Sequence, residues 1–169
     1  MPVTSVETDA EALTMTLVAD FPVGPERLWA VFSDPRQLER VWGPPGWPST
    51  FGTFDFTPGG RATYRMTSPT GESANGNWEF VSIDPPRGYE VIDSFADDDG
   101  EPLETMPAMR MTLTFEATAE GSRLTSVSRF ASAEALEQVV AMGVVEGSTL
   151  AMNQLDLVVQ DLREYAQGK

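Results

Sequence analysis

Apolar and polar positions alternate early in the chain. In "ALTMTLVA", residues 12–19, Leu13, Met15 and Leu17 fall on one side and Thr14 and Thr16 on the other. That period of two predicts a half-buried strand. The period then lengthens. In "FPVGPERLWAVF", Pro25 suits the first position of a helix, and Leu28, Trp29 and Phe32 follow at helical spacing. Asp34 and Pro35 predict the N-cap and first residue of a second short helix. Residues 1–11 show neither period and are expected to form a flexible N-terminal segment.

Alternation returns over 53–56, 61–67, 75–83, 89–95, 109–116 and 124–130, with "TPGG", "SPTGES", "DPPRG", "ADDDGEPLETMPA" and "EGSR" as intervening turns. The last segment changes period again. Ser132 suits an N-cap. Leu136, Val139, Val140, Gly143, Gly147, Leu150, Leu155, Val158 and Leu162 then recur at threes and fours, predicting one long amphipathic helix over 132–167. Gly143 and Gly147 each cost roughly 1 kcal/mol relative to alanine there. They mark a spot where the helix bends or something approaches closely.

Strands run together rather than alternating with helices, so a parallel doubly wound sheet is not expected. The order predicts an α+β fold: a curved antiparallel sheet of about six or seven strands around the C-terminal helix. A single domain is expected over 12–167.

Composition narrows the chemistry. The chain of 169 residues carries 11 basic and 26 acidic side chains, a formal charge of −15. Such a surface repels nucleic acid and anionic membranes, so neither is an expected partner. Four Trp, nine Phe and three Tyr argue against disorder. With no cysteine and no histidine, disulfides, thiolate catalysis and the Ser-His-Asp triad are excluded, as are the common histidine-containing zinc sites. Any catalysis falls to Asp, Glu, Tyr, Lys or Arg. No metal and no cofactor are expected. "MPVTSVETDAEA" lacks the basic and apolar regions of a secretory signal, so a cytoplasmic location is expected.

The loop "VWGPPGWPST", residues 41–50, holds Trp42 and Trp47 on backbone that prolines and glycines keep irregular. It either closes an ordinary core or forms the mouth of a hollow. The same two readings apply to Phe54, Tyr64, Met66, Trp78, Phe80, Val91, Met111 and Leu113 on the strands, and to Gly143, Gly147 and Leu150 on the helix. All are candidate ligand-binding residues. Tyr64 and Asp93 are the candidate catalytic pair. Each alternates onto an apolar face, where a hydroxyl needs a partner and a carboxyl is either paired or raised in pKa. Asn153 lies near Leu150. Arg61, Arg65, Arg110 and Arg129 are expected to face outward and pair across strands with residues such as Glu79 or Glu90. "DDDGE", 97–101, lacks the ligand spacing of a calcium loop and reads as a solvated turn. "PGG", 58–60, has no following helix or lysine and reads as a hairpin turn.

Four stretches carry a family resemblance. These are "PERLWAVFSDPRQLERVWGP", "DFTPGGRATYRM", "GNWEFVSIDPPRGYEV" and "AMGVVEGSTLAMNQLDLVV". In that order they resemble the helix-grip proteins of the START and Bet v 1-like (SRPBCC) superfamily, and within it the Activator of Hsp90 ATPase homologue 1-like group. The resemblance covers roughly residues 12–165. The chain departs from the pattern at Val41, where a second tryptophan often adjoins the first, and at Ser126, where an apolar residue is usual. The resemblance implies a central cavity between sheet and long helix that binds a hydrophobic small molecule. Two other activities seen among such proteins are also implied as alternatives: cyclase or hydrolase-like chemistry on a polyketide or aromatic compound, and stimulation of a chaperone ATPase. A homodimer paired through an exposed edge or helix is a further expectation.

Overall fold

The computed structural model describes residues 2–158. Eight strands form one antiparallel sheet: β1 Val3–Asp9, β2 Thr14–Phe21, β3 Ser49–Phe54, β4 Arg61–Thr67, β5 Ser73–Asp84, β6 Gly88–Ala96, β7 Met109–Thr118 and β8 Gly121–Phe130. Their spatial order is β1-β2-β8-β7-β6-β5-β4-β3. The meander β3 to β8 is thus continuous, and the β1–β2 hairpin joins it by pairing β2 with β8. Inward positions of β2 read as the alternation predicts, with Met15, Leu17, Ala19 and Phe21 buried.

The strand count exceeds the expected six or seven because β1 was hidden. Within the expected flexible lead-in, Val3–Asp9 form a strand: β1 pairs with β2 along most of its length. A register shift between Val3 and Ser5 breaks its alternation, and its side chains are half-buried or exposed. An edge strand held mainly by backbone bonds leaves little hydrophobic signal.

Helices α1 Pro25–Phe32 and α2 Pro35–Leu38 lie between β2 and β3. Asp34 caps α2 by accepting from the backbone N–H of Arg36 at 2.9 Å. Leu28, Val31, Phe32 and Leu38 turn inward with no exposed area. Tyr89 fastens α1 to the sheet by donating its hydroxyl to the Phe32 carbonyl at 2.8 Å. The open edge at β3 is covered by α2: the Arg36 guanidinium donates to the Phe51 carbonyl, and the Glu39 carboxylate accepts from the Phe51 N–H. Edge strands with unpaired groups invite aggregation, and this contact occupies them.

The C-terminal helix is not one rod. α3 Ala133–Ala141 starts at Ser132, whose hydroxyl accepts from the Ala135 N–H as expected. It stops at Met142 and Gly143, and α4 Val144–Asn153 restarts beyond them. Gly143 has φ +88°, a left-handed conformation that breaks the helical path. A further helical turn spans 155–158. Leu155 and Val158 are buried, while Leu162 lies outside the described residues. Two long-range bonds seat α4: Asn153 Oδ1 accepts from the Val3 N–H at 3.1 Å, and Gln154 Nε2 donates to the Gly43 carbonyl. Among the described residues no helix is long and apolar enough to cross a membrane.

The two helix glycines separate cleanly in what they do. At Gly143 an added Cβ meets a left-handed backbone, whereas at Gly147 it meets open space within 4 Å. Gly143→Ala is therefore expected to lower unfolding stability by about 1–2 kcal/mol. Gly147→Ala is expected to raise it by up to about 1 kcal/mol. Urea titration of both variants checks the pair.

Candidate functional site

The concave face of the sheet is filled unevenly. Under α1 and α2 it is solid. Phe54, Phe56, Phe80, Tyr89 and Trp29 form a run of ring contacts with centroids 5.2 to 5.6 Å apart along Phe54–Phe80–Phe56–Tyr89 and Phe56–Trp29. Trp78, Phe80 and Val91 have no exposed area. Under α3 and α4 the face is hollow. A partly open cavity of about 280 Å³ lies between the strands and the helix joint, at the small end for ligand pockets.

Its wall holds seven of the thirteen candidate binding residues: Trp42, Tyr64, Met66, Met111, Leu113, Gly143 and Gly147. Trp47, Phe54, Trp78, Phe80, Val91 and Leu150 are not part of it. Phe54, Trp78, Phe80 and Val91 belong instead to the solid half, because alternation fixes which face a residue takes but not its distance from the helix above. Leu150 is 52% exposed. The break at Gly143 resets the helical phase, so the inward stripe runs through Gly147, Ser148, Ala151, Met152 and Leu155. Trp47 is half-buried in its loop. Its carbonyl packs where a Cβ on Gly43 would stand, and Pro44 takes the place at the rim.

Several wall residues escaped sequence reasoning. Met15, Met109, Met142 and Met152 line the cavity beside the expected Met66 and Met111, so six of the chain's eight methionines face it. Their thioethers are flexible and polarisable, so the wall can adapt to shape and favours aromatic surface. Clustering of methionine on inward positions was the available signal. Ser126 and Ser128 on β8 also face the cavity. The departure noted at Ser126 is thus a polar group in the wall.

Asp93 and Tyr64 do come together. The Tyr64 hydroxyl donates to Asp93 Oδ1 at 3.0 Å. They sit on β6 and β4, with β5 between them. Tyr64 pairs with Gly76 of β5, and its ring lies over that glycine: a Cβ there would fall 2.0 Å from the Tyr64 ring. Only glycine leaves room for the ring to cross a strand. Trp42 packs edge-on against both Tyr64 and Trp78, at 5.9 and 4.8 Å. This is how the tryptophan loop reaches the site.

Burial pushes the Asp93 carboxyl up to about 7, and the Tyr64 hydroxyl and Trp78 indole pull it partly back. The Trp78 N–H is near enough to favour the charged form yet makes no formed hydrogen bond among the described residues. Tyr64 is raised by burial first, then by the adjacent Asp93 charge. It forms part of the cavity wall. The arrangement can hold a proton near neutral pH, or offer a carboxylate to a donor in the hollow.

The other polar candidates are structural. Arg110 pairs with Glu90 at 2.6 Å, Arg61 reaches Glu101, and Arg65 bonds Asn75 and Asp98 on the outer face. Arg129 donates to the Thr112 hydroxyl. In the acidic loop Asp97 Oδ1 accepts from the N–H groups of Asp99 and Glu101, which makes it a turn.

Asp93 binds its proton more tightly folded than unfolded. Its contribution is therefore full below about pH 4 and is lost as pH rises through 7. The stability of the native chain relative to Asp93→Asn is expected to fall by on the order of 3–4 kcal/mol between about pH 4 and pH 8. Denaturant titrations of both proteins across that range measure it. Parallel curves would contradict the raised value.

Residues 22–160 match the family described as Activator of Hsp90 ATPase homolog 1-like protein. No curated protein matches the chain. Among solved structures, it is similar to protein Ms6760 from Mycobacterium smegmatis, with 46% identity and a TM-score of 0.86 over 93% of this chain and 96% of that one. It is also similar to a protein from Arthrobacter aurescens, with 43% identity and a TM-score of 0.89 over 94% and 92%. A Rhodobacter sphaeroides protein at 22% identity shares the fold, with a TM-score of 0.79 over 93% and 98%. With its antiparallel sheet, C-terminal helices and matched residues, the chain belongs to the Activator of Hsp90 ATPase homolog 1-like family of helix-grip proteins.

Proposed function

We propose that this protein binds a small, mostly apolar molecule in the cavity between the sheet and α3–α4. The observation that carries the reading is the uneven filling of one face: packed rings at one end, and a methionine-lined hollow at the other. Apolar walls with a few polar groups are how proteins hold such ligands. A second reading, acid–base catalysis on the bound molecule, is favoured by the buried Asp93–Tyr64 hydrogen bond. In that case Asp93→Asn abolishes turnover and leaves the affinity for an uncharged ligand intact.

The binding reading is tested by filling the hollow. Gly147 has open space where a side chain would go. Native mass spectrometry with a panel of neutral aromatic and lipid-like compounds is expected to find one-to-one complexes with the native chain. Gly147→Leu is expected to weaken them by about tenfold while leaving thermal stability unchanged or higher. Absence of any complex, or equal binding by the variant, would contradict the reading.

A further inference from the structure

The charges of the cavity wall are one-sided. Asp93 is the single carboxyl among its residues, and no lysine or arginine joins it. Asp93 is 5% exposed, and its one formed hydrogen bond comes from Tyr64 onto Oδ1. The second oxygen has no hydrogen-bond partner among the described residues. An ionised carboxylate in such a place is short of a cation, and nothing in the protein supplies one.

A second polar spot is also unsatisfied. Ser128 is 2% exposed, and neither its hydroxyl nor that of Ser126 has a hydrogen-bond partner among the described residues. Both serines lie on β8, two strands from Asp93 on β6. Ser128 pairs with Met111, and Asp93 with Met109, so the two spots are also offset along the strands. Strand spacing and rise place Ser128 roughly 12 Å from Asp93, and Ser126, which pairs with Leu113, roughly 16–17 Å from it. Methionine and aromatic side chains occupy the wall between them. Thioethers and ring faces accommodate a cation better than aliphatic groups do. The net charge of −15 draws cations toward the protein and repels anions.

Resting on the binding reading above, we propose that the ligand is a compact aromatic amine. Its ammonium pairs with Asp93, its ring lies among the methionines, and a polar substituent at the far end bonds Ser128. The same arrangement rejects carboxylic acids of equal shape. An acid would bring a second negative charge into a wall without a cation, and would leave Asp93 facing a like charge.

Isothermal titration of the full chain with four indole probes at about pH 8 decides this, since the amines are protonated there. The probes are tryptamine, its neutral analogue 3-ethylindole, its acidic counterpart indole-3-propionate, and 5-hydroxytryptamine. Tryptamine is expected to bind about tenfold or more tighter than the acid. Asp93→Asn is expected to erase that preference while 3-ethylindole binds as before. The added hydroxyl of 5-hydroxytryptamine is expected to strengthen binding by about threefold or more, a gain that Ser128→Ala removes. If 3-ethylindole binds but the acid matches the amine, or Asp93→Asn leaves the amine's advantage intact, the amine proposal fails and the cavity reading stands. If no probe binds, both fail. Binding of the amine without any hydroxyl gain overturns the serine half of the proposal.

Discussion

A carboxyl group set into an apolar wall beside unfilled space is the constraint to which the rest of the site answers. Asp93 cannot carry its charge cheaply at that depth, so its neighbours are arranged around one hydrogen bond. That bond requires the Tyr64 ring to cross β5, which requires Gly76. Trp42 then packs on the edges of Tyr64 and Trp78, and this anchors an otherwise irregular loop. The loop in turn receives α4 through the bond from Gln154 to the Gly43 carbonyl. A single polar pair thus links three strands, the tryptophan loop and the terminal helix.

The hollow exists because the helix bends. A straight rod from Ser132 onward would carry its apolar stripe in one direction. The left-handed residue at Gly143 instead splits it into two shorter helices, and small residues at Gly147, Ser148 and Ala151 face the sheet. Leaving a space of about 280 Å³ forgoes packing worth on the order of several kcal/mol. The aromatic block under α1 and α2 holds the fold while that space stays open. Methionines around it can shift rotamer at little cost, which suits a wall that must close on a guest.

Most of the fold was legible because burial imposes periods. β2, β6, β7 and β8 bury most of their inward positions at alternate residues, and the caps at Asp34 and Ser132 sit where their side chains can bond the first helical turn. β1 was not legible, since its pairing is carried by backbone. The site was half legible. Tyr64, Met66, Met111 and Leu113 were found from alternation, and Gly143 and Gly147 from their cost in a helix. Phe54, Trp78, Phe80 and Val91 were misplaced because period reports the face and not the depth above it. Leu150 was misplaced because its position was counted through a break that only the φ of Gly143 reveals. The Ser126 hydroxyl stood out in the sequence as a departure, but its meaning needed the cavity.

Carbon-13 NMR titration of the Asp93 side-chain carboxyl tests the central claim most directly, because it reads the buried group itself. The account predicts a midpoint near 7, well above the ordinary aspartate value of about 4. A midpoint at or below about 4 would mean that the carboxyl is solvated or already paired with a cation. The methionine hollow would then lose the polar anchor on which its reading as a ligand site depends.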